Sequence, residues 1–528
     1  MPPASAGEVS SRSLIAQRRY EAGLEAFHQG SSAEAMRLYL AALEEDSTFL
    51  APLYQLPLVW SGPGWEGMVA RLGRAARAAG GAPELERLRM RYRWAVIAQD
   101  PSVLAIAESL ATRYPSEPEA QLALGTALFN SGDFLGAIPH FRQAIAADSS
   151  LATYQTAAVP CQNCVARDYL IWAYSLADSN EAALREARTW FAAQSADQSW
   201  ARRAMAAILE VLGRRDELLA LVRVPNDDPG FPLFRLELEL TSAIRAGNFT
   251  EVSRLMDTWR ESPDSDMAGL SLYWQVIAER TRGRPASALA AAQQHCDRIR
   301  ARSGSEPGQL DGCTLSRVSP LLELGNPLQA IRELRERLEE RYPDSLGTPG
   351  LEARRRAWLL LHLGVALAAA GDTAALAAVA DSLERTGRRS GYGRDRRMHH
   401  HLRGLLLQAR GQHQQAIAEF RRAVWSPNQG YPRTHLELAR ELLRLGQPRE
   451  AVATLEPLLR GPLAAMGSYT TQTEIRALLA VALDRAGDSP GAIAQMKWVE
   501  AAWADAEPPG RARLDSLRAM LRVPTQNP

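Results

Sequence analysis

The chain has 528 residues and a formal net charge of +1, with 46% hydrophobic and 23% charged residues. This composition is that of a folded globular protein and is too apolar for a disordered one. The charge provides no field that would attract nucleic acid or an anionic membrane. No apolar run reaches the roughly 18–20 residues that a membrane span needs.

The first residues, 1–14, are expected to form a disordered tail. The segment Met1–Ala16 has no apolar core of the kind that a secretory signal needs. A chain that starts at Met1 is therefore expected in the cytoplasm. The alternative is that the sequence is an excised extracytoplasmic domain of a membrane-tethered chain.

A five-point spacing begins at Gly23 and recurs twice further along the chain. It consists of a glycine, a second glycine seven residues on, an alanine five further, an aromatic residue four further and an alanine three further. Three copies of one spacing indicate a stack of helical hairpins, and such stacks act by binding. The copies are Gly23, Gly30, Ala35, Tyr39, Ala42; Gly125, Gly132, Ala137, Phe141, Ala144; and Gly404, Gly411, Ala416, Phe420, Ala423.

Each position in this spacing has a physical role. The second glycine is predicted to end the first helix in the left-handed conformation that glycine adopts at little cost. The first glycine lets the paired helix approach closely, and the first alanine is predicted to be fully buried between the two helices. The aromatic residue is predicted to fill the gap to the next hairpin.

Less complete copies keep the glycine and an apolar residue five positions on. They are Gly213/Leu218, Gly247/Val252, Gly283/Ala288, Gly325/Ala330, Gly371/Leu376, Gly446/Ala451 and Gly487/Ala492. The spacing predicts an all-α, right-handed superhelical solenoid of about thirteen antiparallel helix pairs over residues 15–506. A capping helix near 509–522 and a tail complete the last segment, 507–528. Each hairpin is expected to pack only on its neighbours.

With a repeat near 34 residues and these glycine, alanine and aromatic positions, the chain resembles the tetratricopeptide repeat family. That resemblance implies a scaffold that binds a peptide or a partner domain on its concave face. The layout is also similar to the repeat-bearing C-terminal regions of bacterial membrane-tethered serine/threonine kinases and related transcriptional activators. The sequence has no kinase part, so no kinase activity carries over.

Residues that could carry catalysis do not form a recognisable site. Lys497 is the only lysine and has no glycine-rich loop before it, which argues against a phosphate-binding loop. Gly62–Gly67 matches GxGxxG but is best explained as a hairpin turn, because no strand precedes it. The consecutive histidines His399, His400 and His401 point about 100° apart on a helix and cannot ligate one metal together. The sequence predicts no enzyme, no cofactor and no metal site.

Four cysteines form two pairs that are close in sequence. Cys161 and Cys164 leave three possibilities open: a local disulfide, two free thiols, or a zinc site completed by His140 or an acidic residue. Cys296 and Cys313 flank a sixteen-residue loop and are predicted to lie close enough to bridge, with Cα atoms within about 7 Å. Two such pairs favour an oxidising compartment, which conflicts with the missing signal sequence.

The first helix of each hairpin is expected to line the concave face, in segments such as Glu119–Ser131, Ala353–Ala370, Met398–Arg410 and Thr434–Leu445. Arginines in these segments predict that the C-terminal half binds an acidic or phosphorylated segment, beside a basic loop, Arg385–Arg397. They are Arg354, Arg355, Arg356, Arg403, Arg410, Arg440 and Arg444. The competing interpretation is that they form surface ion pairs with nearby glutamates.

Three functions remain open at this point. The favoured one is a protein-interaction scaffold. The alternatives are a sensor or regulatory module of a bacterial signalling system, and an enzyme with an unrecognised site.

Overall fold

The computed structural model describes residues 11–28, 31–60, 65–78, 82–147, 162–193, 199–223, 231–261, 265–301, 307–340 and 348–521. Residues 1–10 of the expected tail lie outside these ranges. Ser11, which was expected to belong to the same tail, donates a hydrogen bond of 2.7 Å to the carboxylate of Asp46.

The described residues form twenty-eight α-helices, labelled here in chain order. The first fourteen are α1 (Leu14–His28), α2 (Ser32–Glu45), α3 (Leu50–Val59), α4 (Trp65–Ala78), α5 (Glu84–Ile97), α6 (Val103–Arg113), α7 (Pro118–Ser131), α8 (Phe134–Ala147), α9 (Gln162–Leu176), α10 (Asn180–Ala193), α11 (Ser199–Val211), α12 (Arg215–Arg223), α13 (Phe231–Ala246) and α14 (Phe249–Arg260). The others are α15 (Ser265–Thr281), α16 (Pro285–Ala301), α17 (Pro307–Glu323), α18 (Pro327–Glu339), α19 (Pro349–Ala369), α20 (Thr373–Gly387), α21 (Met398–Ala409), α22 (His413–Ala423), α23 (Arg433–Arg444), α24 (Pro448–Leu455), α25 (Leu463–Met466), α26 (Gln472–Ala486), α27 (Ser489–Ala502) and α28 (Pro508–Met520).

These helices pair as thirteen consecutive hairpins, from α1 with α2 to α26 with α27, and α28 follows as a single helix. The one-turn helix α25 lies in the connection between α24 and α26. No strand occurs within the described ranges. The all-α solenoid of about thirteen helix pairs is therefore confirmed. Its right-handed sense and the boundary between 506 and 507 stay predictions.

The hairpin turns lie where the glycine spacing predicts them. Nine predicted turn glycines have φ between 69° and 92°, the left-handed region, and Gly30 lies outside the described residues. At two hairpins without a turn glycine, Gln99 and Asp178 adopt the same region with φ of 52° and 58°. The nine are Gly132, Gly213, Gly247, Gly283, Gly325, Gly371, Gly411, Gly446 and Gly487.

Within a hairpin, the alanines are buried as the spacing predicts, and the aromatic residue makes one contact that was not predicted. Ala137 and Ala416 are fully buried, as predicted. The aromatic residue, however, packs against the first glycine of its own hairpin, because a Cβ added at Gly125 would lie 2.6 Å from the ring of Phe141. Phe141 also stacks on Tyr169 of the next hairpin, with ring centroids 5.6 Å apart. The aromatic ring therefore packs both within its own hairpin and against the next one, and only the second contact was predicted from the sequence.

Replacing Ala416 by leucine should lower the free energy of unfolding by about 1–3 kcal/mol, because the larger side chain overpacks the contact between α21 and α22. Ala378→Leu at an exposed position of α20 is the matched control and should change stability by less than about 0.5 kcal/mol. Thermal denaturation of both variants measures the difference. Equal melting temperatures would show that Ala416 does not lie at the helix contact.

A second set of contacts joins hairpins that are far apart in the sequence. The loop between α20 and α21 reaches the ends of α5 and α7: Gly391 N–H donates to the Gln99 carbonyl at 2.8 Å. Gly393 N–H donates to the Asn130 carbonyl at 2.9 Å. The last carbonyls of a helix have no partner inside that helix, so these donors satisfy groups that would otherwise need water.

The same kind of contact continues along the chain, with a donor of the C-terminal half bonded to a carbonyl at the end of an earlier first helix. The pairs are Ser426 to Leu176 (2.8 Å), Asn428 to Ser175 (2.7 Å), Trp498 to Arg245 (3.1 Å) and Glu507 to Gly283 (3.2 Å). We call this row of contacts, between the ends of α5–α17 and residues 348–521, the seam.

Three tryptophans of the C-terminal half cover turn glycines along the seam. A Cβ added at these glycines would lie 2.6 to 2.9 Å from the indole, so each tryptophan packs directly on the turn backbone. The pairs are Gly132 with Trp425, Gly247 with Trp498 and Gly283 with Trp503. The expectation that each hairpin contacts only its neighbours is therefore wrong, because successive turns of this superhelix contact each other.

Candidate partner-binding site

The structure separates the seven predicted arginines into groups with different surroundings. Arg355 is buried, and the prediction that it contacts a partner is wrong. Its Nε lies 2.9 Å from the carboxylate of Asp311, and the same guanidinium donates to the Arg337 and Glu340 carbonyls at 2.7 and 2.8 Å. Arg355 therefore joins α17, α18 and α19 in the core.

The two neighbours of Arg355 on α19 also make intramolecular contacts. Arg354 lies over the ring of Tyr392, 4.5 Å from its centroid, and donates to the Gln99 side chain at 3.1 Å. It thus forms part of the seam. Arg356 donates to the Leu338 carbonyl at 3.0 Å and is half-exposed. Neither lies with the remaining predicted arginines.

The arginines of α21 are likewise apart from the others. Arg403 pairs with Glu384 of α20 at 2.6 Å, and Arg410 is exposed at the end of α21. In the basic loop, Arg394 lies over the ring of Trp358 at 3.9 Å, and Arg397 donates to the Val424 carbonyl at 3.0 Å. Much of this loop is therefore structural rather than a free basic patch.

Arg440 and Arg444 line an open cleft of about 820 Å³ together with residues of α26 and α28. We call it the arginine cleft, because five of its lining side chains are guanidiniums and one is a carboxylate. These six are Arg433, Arg440, Arg444, Arg485, Arg513 and Glu474. Helices α23 and α26 are the first helices of consecutive hairpins, and α28 follows them in the chain.

Helical periodicity explains why these side chains share one cleft. On α26 the lining residues Glu474, Ala477, Leu478, Val481 and Arg485 follow one another at intervals of three, one, three and four and form one stripe. On α23, Arg433, Arg440 and Arg444 are separated by seven and four residues and lie on one face in the same way. The two stripes therefore face a common space.

The end of the cleft nearest the helix N-termini is closed by an ion-pair network. Arg433 lies 3.3 Å from Glu474, and Arg280 of α15 lies 3.7 Å from the same carboxylate. Burial alone raises the pKa of Glu474, but these two guanidiniums and the Thr471 N–H outweigh it and bring the pKa below its usual range. Glu474 is thus a fixed negative charge that holds this end together.

The opposite end, formed by Arg440, Arg444 and Arg485, is more open, and we call it the mouth. Arg444 is exposed and lies 3.5 Å from the buried Glu441, and Arg440 pairs with Glu437. Arg485 is exposed and donates to the Leu443 carbonyl at 3.3 Å, and no ion pair joins it to any residue within the described ranges.

Three cleft arginines, Arg433, Arg485 and Arg513, were not predicted from the sequence. Arg485 and Arg513 lie on α26 and α28, outside the segments that were considered as inner helices, and Arg433 immediately precedes the segment Thr434–Leu445. The seven- and four-residue intervals from Arg433 to Arg444 are the signal that would have found the first of them.

The cysteines lie away from the cleft. A disulfide joins Cys296 in the C-terminal half of α16 to Cys313 in α17, with Cα atoms 5.2 Å apart, inside the expected 7 Å. Cys164 is buried near the start of α9, and none of the described cysteines is a free thiol. Cys161 lies outside the described residues, so a disulfide between it and Cys164 stays one of the possibilities named above.

Two of the three consecutive histidines are buried. His399 and His401 are both buried, whereas His400 is partly exposed and its Nδ1 lies 2.7 Å from Glu419. Within the described ranges, no three histidine, cysteine or acidic side chains are grouped so that they could hold a metal ion. In the same ranges, no helix combines the length and apolarity that crossing a bilayer requires.

Comparisons with known proteins concern the fold alone. No protein-family model matches the chain, and no curated protein matches it. Among the solved structures that match the chain, two align with most of its length. The APC/C hetero-tetramer Cut9–Hcn1 structure is 12% identical with a TM-score of 0.42, and the match covers 96% of this chain and 84% of that one. The structure of Naa15/Naa10 bound to HypK-THB is 11% identical with a TM-score of 0.25, covering 96% and 80%.

Neither likeness, at these TM-scores, bears on what this protein binds. The left-handed turn glycines, the buried alanines and the aromatic rings on the first glycines are features of the chain itself. They make it an all-α solenoid of tetratricopeptide-like hairpins.

Proposed function

We propose that the protein is an interaction scaffold that holds an acidic or phosphorylated segment of a partner protein in the arginine cleft. The observation that carries this proposal is the convergence of five guanidiniums from α23, α26 and α28 on one open cleft with a single carboxylate. We infer that the protein acts by binding and not by catalysis.

Arginine suits this task because its planar guanidinium presents several donors that match a carboxylate or a phosphate group. Arg444 and Arg485 are exposed on the mouth, so a ligand can reach them without unfolding a helix. The low-dielectric walls of a cleft strengthen such contacts relative to open surface. The overall charge of +1 means that attraction is local to this cleft and does not extend over the whole molecule.

The seam supports the same proposal by fixing the cleft wall. Arg513 of α28 donates to the Glu323 carbonyl at the end of α17, and Trp503 both lines the cleft and covers Gly283. The helices that present the guanidiniums are therefore held in place before a partner arrives. A preorganised site loses less entropy on binding than one that must first be ordered.

Reversing two mouth charges, Arg444→Glu with Arg485→Glu, should weaken capture of the native partner at least tenfold, about 1.4 kcal/mol, because carboxylates would then repel the acidic ligand. Arg335→Glu with Arg449→Glu, at exposed sites on α18 and α24, makes the same change in net charge away from the cleft.

Partner capture is measured by affinity purification from the native cell and mass spectrometry, with circular dichroism as the check of folding. The control variant should capture as wild type does. Equal capture by the cleft variant and wild type would place the partner elsewhere on the solenoid and overturn the proposal.

A further inference from the structure

The middle of the arginine cleft is apolar, and the guanidiniums lie towards its ends. On α26, the residues between Glu474 and Arg485 that face the cleft are Ala477, Leu478 and Val481. Leu443 of α23 and two residues of α28, Leu517 and Met520, complete this apolar part. We call these six residues the trough.

The guanidiniums of the mouth are already partly neutralised. Arg440 faces Glu437 and Arg444 faces Glu441, so the local surplus is about one positive charge, that of Arg485. A site for a phosphate group gathers several guanidiniums that lack carboxylate partners. The arginine cleft instead offers a small apolar surface, formed by Ala477, Leu478 and Met520, with a small positive surplus at its open end.

The trough is long enough for a short peptide. Glu474 and Arg485 are eleven residues apart on one helix, which corresponds to roughly 16 Å along its axis. An extended peptide covers this length with about five residues, and a helical one with about eleven. Leu478 is partly exposed and Met520 is 57% exposed, so apolar side chains of a ligand can reach both.

We propose that the ligand of the arginine cleft is an unphosphorylated amphipathic segment of a partner protein. Its aliphatic side chains lie in the trough, and its aspartate or glutamate carboxylates face Arg444 and Arg485. This inference rests on the proposed function and specifies the chemistry of the ligand. Apolar burial supplies most of the affinity, and the carboxylates set the orientation of the segment.

Four synthetic fluorescein-labelled peptides of eleven residues test this inference by fluorescence anisotropy with the full chain. The first combines three leucines with three glutamates. The second replaces the leucines by serine, the third replaces the glutamates by glutamine, and the fourth carries phosphoserines in place of the glutamates and has no leucine. The first should bind at least tenfold more tightly than the second and fourth, and more tightly than the third.

The salt dependence of the affinity distinguishes apolar from ionic binding. Raising the salt concentration from 50 to 500 mM should weaken the binding of the first peptide by less than about tenfold, because apolar burial is not screened. The inference is overturned in favour of a phosphate site if the phosphoserine peptide binds as tightly as the first peptide or more tightly. A steep loss of affinity of the first peptide at high salt would have the same meaning.

Substitutions in the trough provide the structural control. Leu478→Ser should weaken the first peptide at least tenfold, whereas Leu135→Ser, at an exposed leucine of α8, should leave it unchanged. If circular dichroism shows that Leu478→Ser is misfolded, the exposed Met520→Ser replaces it and should also weaken binding. Unchanged binding by the folded trough variant would overturn the inference.

The failure of this inference is distinguishable from failure of the proposed function. If no peptide binds although charge reversal at the mouth still weakens partner capture at least tenfold, the scaffold proposal stands and the amphipathic ligand is wrong. If light scattering shows a dimer that Leu478→Ser dissociates, a second copy of the chain occupies the trough, and the inference is likewise overturned.

Discussion

Replacing Arg280 by methionine should lower the free energy of unfolding by about 3–5 kcal/mol, the cost of breaking a buried ion pair from one side. The Arg280 side chain is fully buried, and its guanidinium donates to Glu323 at 2.7 and 2.9 Å and to the Gly467 carbonyl at 2.7 Å. Methionine fills a similar volume but leaves the Glu323 carboxylate without its partner. Chemical denaturation followed by circular dichroism measures the loss.

Two further variants show whether the cost arises from the buried charge. Arg188→Met removes an exposed arginine that pairs with Glu217, and it should leave stability almost unchanged. The double variant Arg280→Met, Glu323→Met should recover part of the loss, because apolar residues can replace a buried ion pair. An Arg280→Met chain as stable as wild type would mean that the buried pair of Arg280 and Glu323 does not hold α15 and α17 together.

Acidification should destabilise the wild-type chain more than a variant with His401→Gln. Burial, together with the nearby Arg433 and His362, lowers the pKa of His401 to about 3. The unfolded chain has an ordinary histidine pKa of about 6.5 and therefore binds a proton at a higher pH than the folded chain does. The stability that neutral His401 contributes is complete above about pH 6.5 and is lost as the pH falls towards 3.

The expected difference between the two chains is about 3 kcal/mol between pH 6.5 and pH 4. The comparison with a variant is needed because other groups titrate in the same range with the opposite sign. Burial raises the pKa of Glu119 to about 7 and that of Asp168 to about 6, so their protonation favours the folded chain. Parallel stability curves for wild type and His401→Gln would show that His401 is not buried as described.

The hairpins could be predicted from the sequence because their determinants are local. A turn needs a left-handed residue, which Gly411 supplies, and a close helix contact needs a small residue five positions on, which Ala416 supplies. Both are visible within one repeat. Two hairpin turns are exceptions to the glycine rule, because Gln99 and Asp178 adopt the left-handed region there without being glycine.

The seam could not be predicted, because its donors have no recognisable spacing. Ser426 caps a carbonyl at Leu176, 250 positions earlier, and a lone serine in a loop carries no signal of such a partner. Only part of the site could be predicted, because some arginines have partners that are far away in the sequence. Arg440 and Arg444 follow from their place on a first helix, whereas Arg355 was misassigned because its partner Asp311 lies 44 positions away on α17.

Site-specific photocrosslinking in the native cell tests most directly whether the arginine cleft holds the partner. A photoreactive phenylalanine analogue at position 478 lies in the trough, and the same analogue at position 135 lies on the exposed surface of α8. We expect one discrete crosslinked protein from position 478, lost when Arg444→Glu and Arg485→Glu are added, and none from position 135. A crosslink from position 135 with none from position 478 would contradict the account.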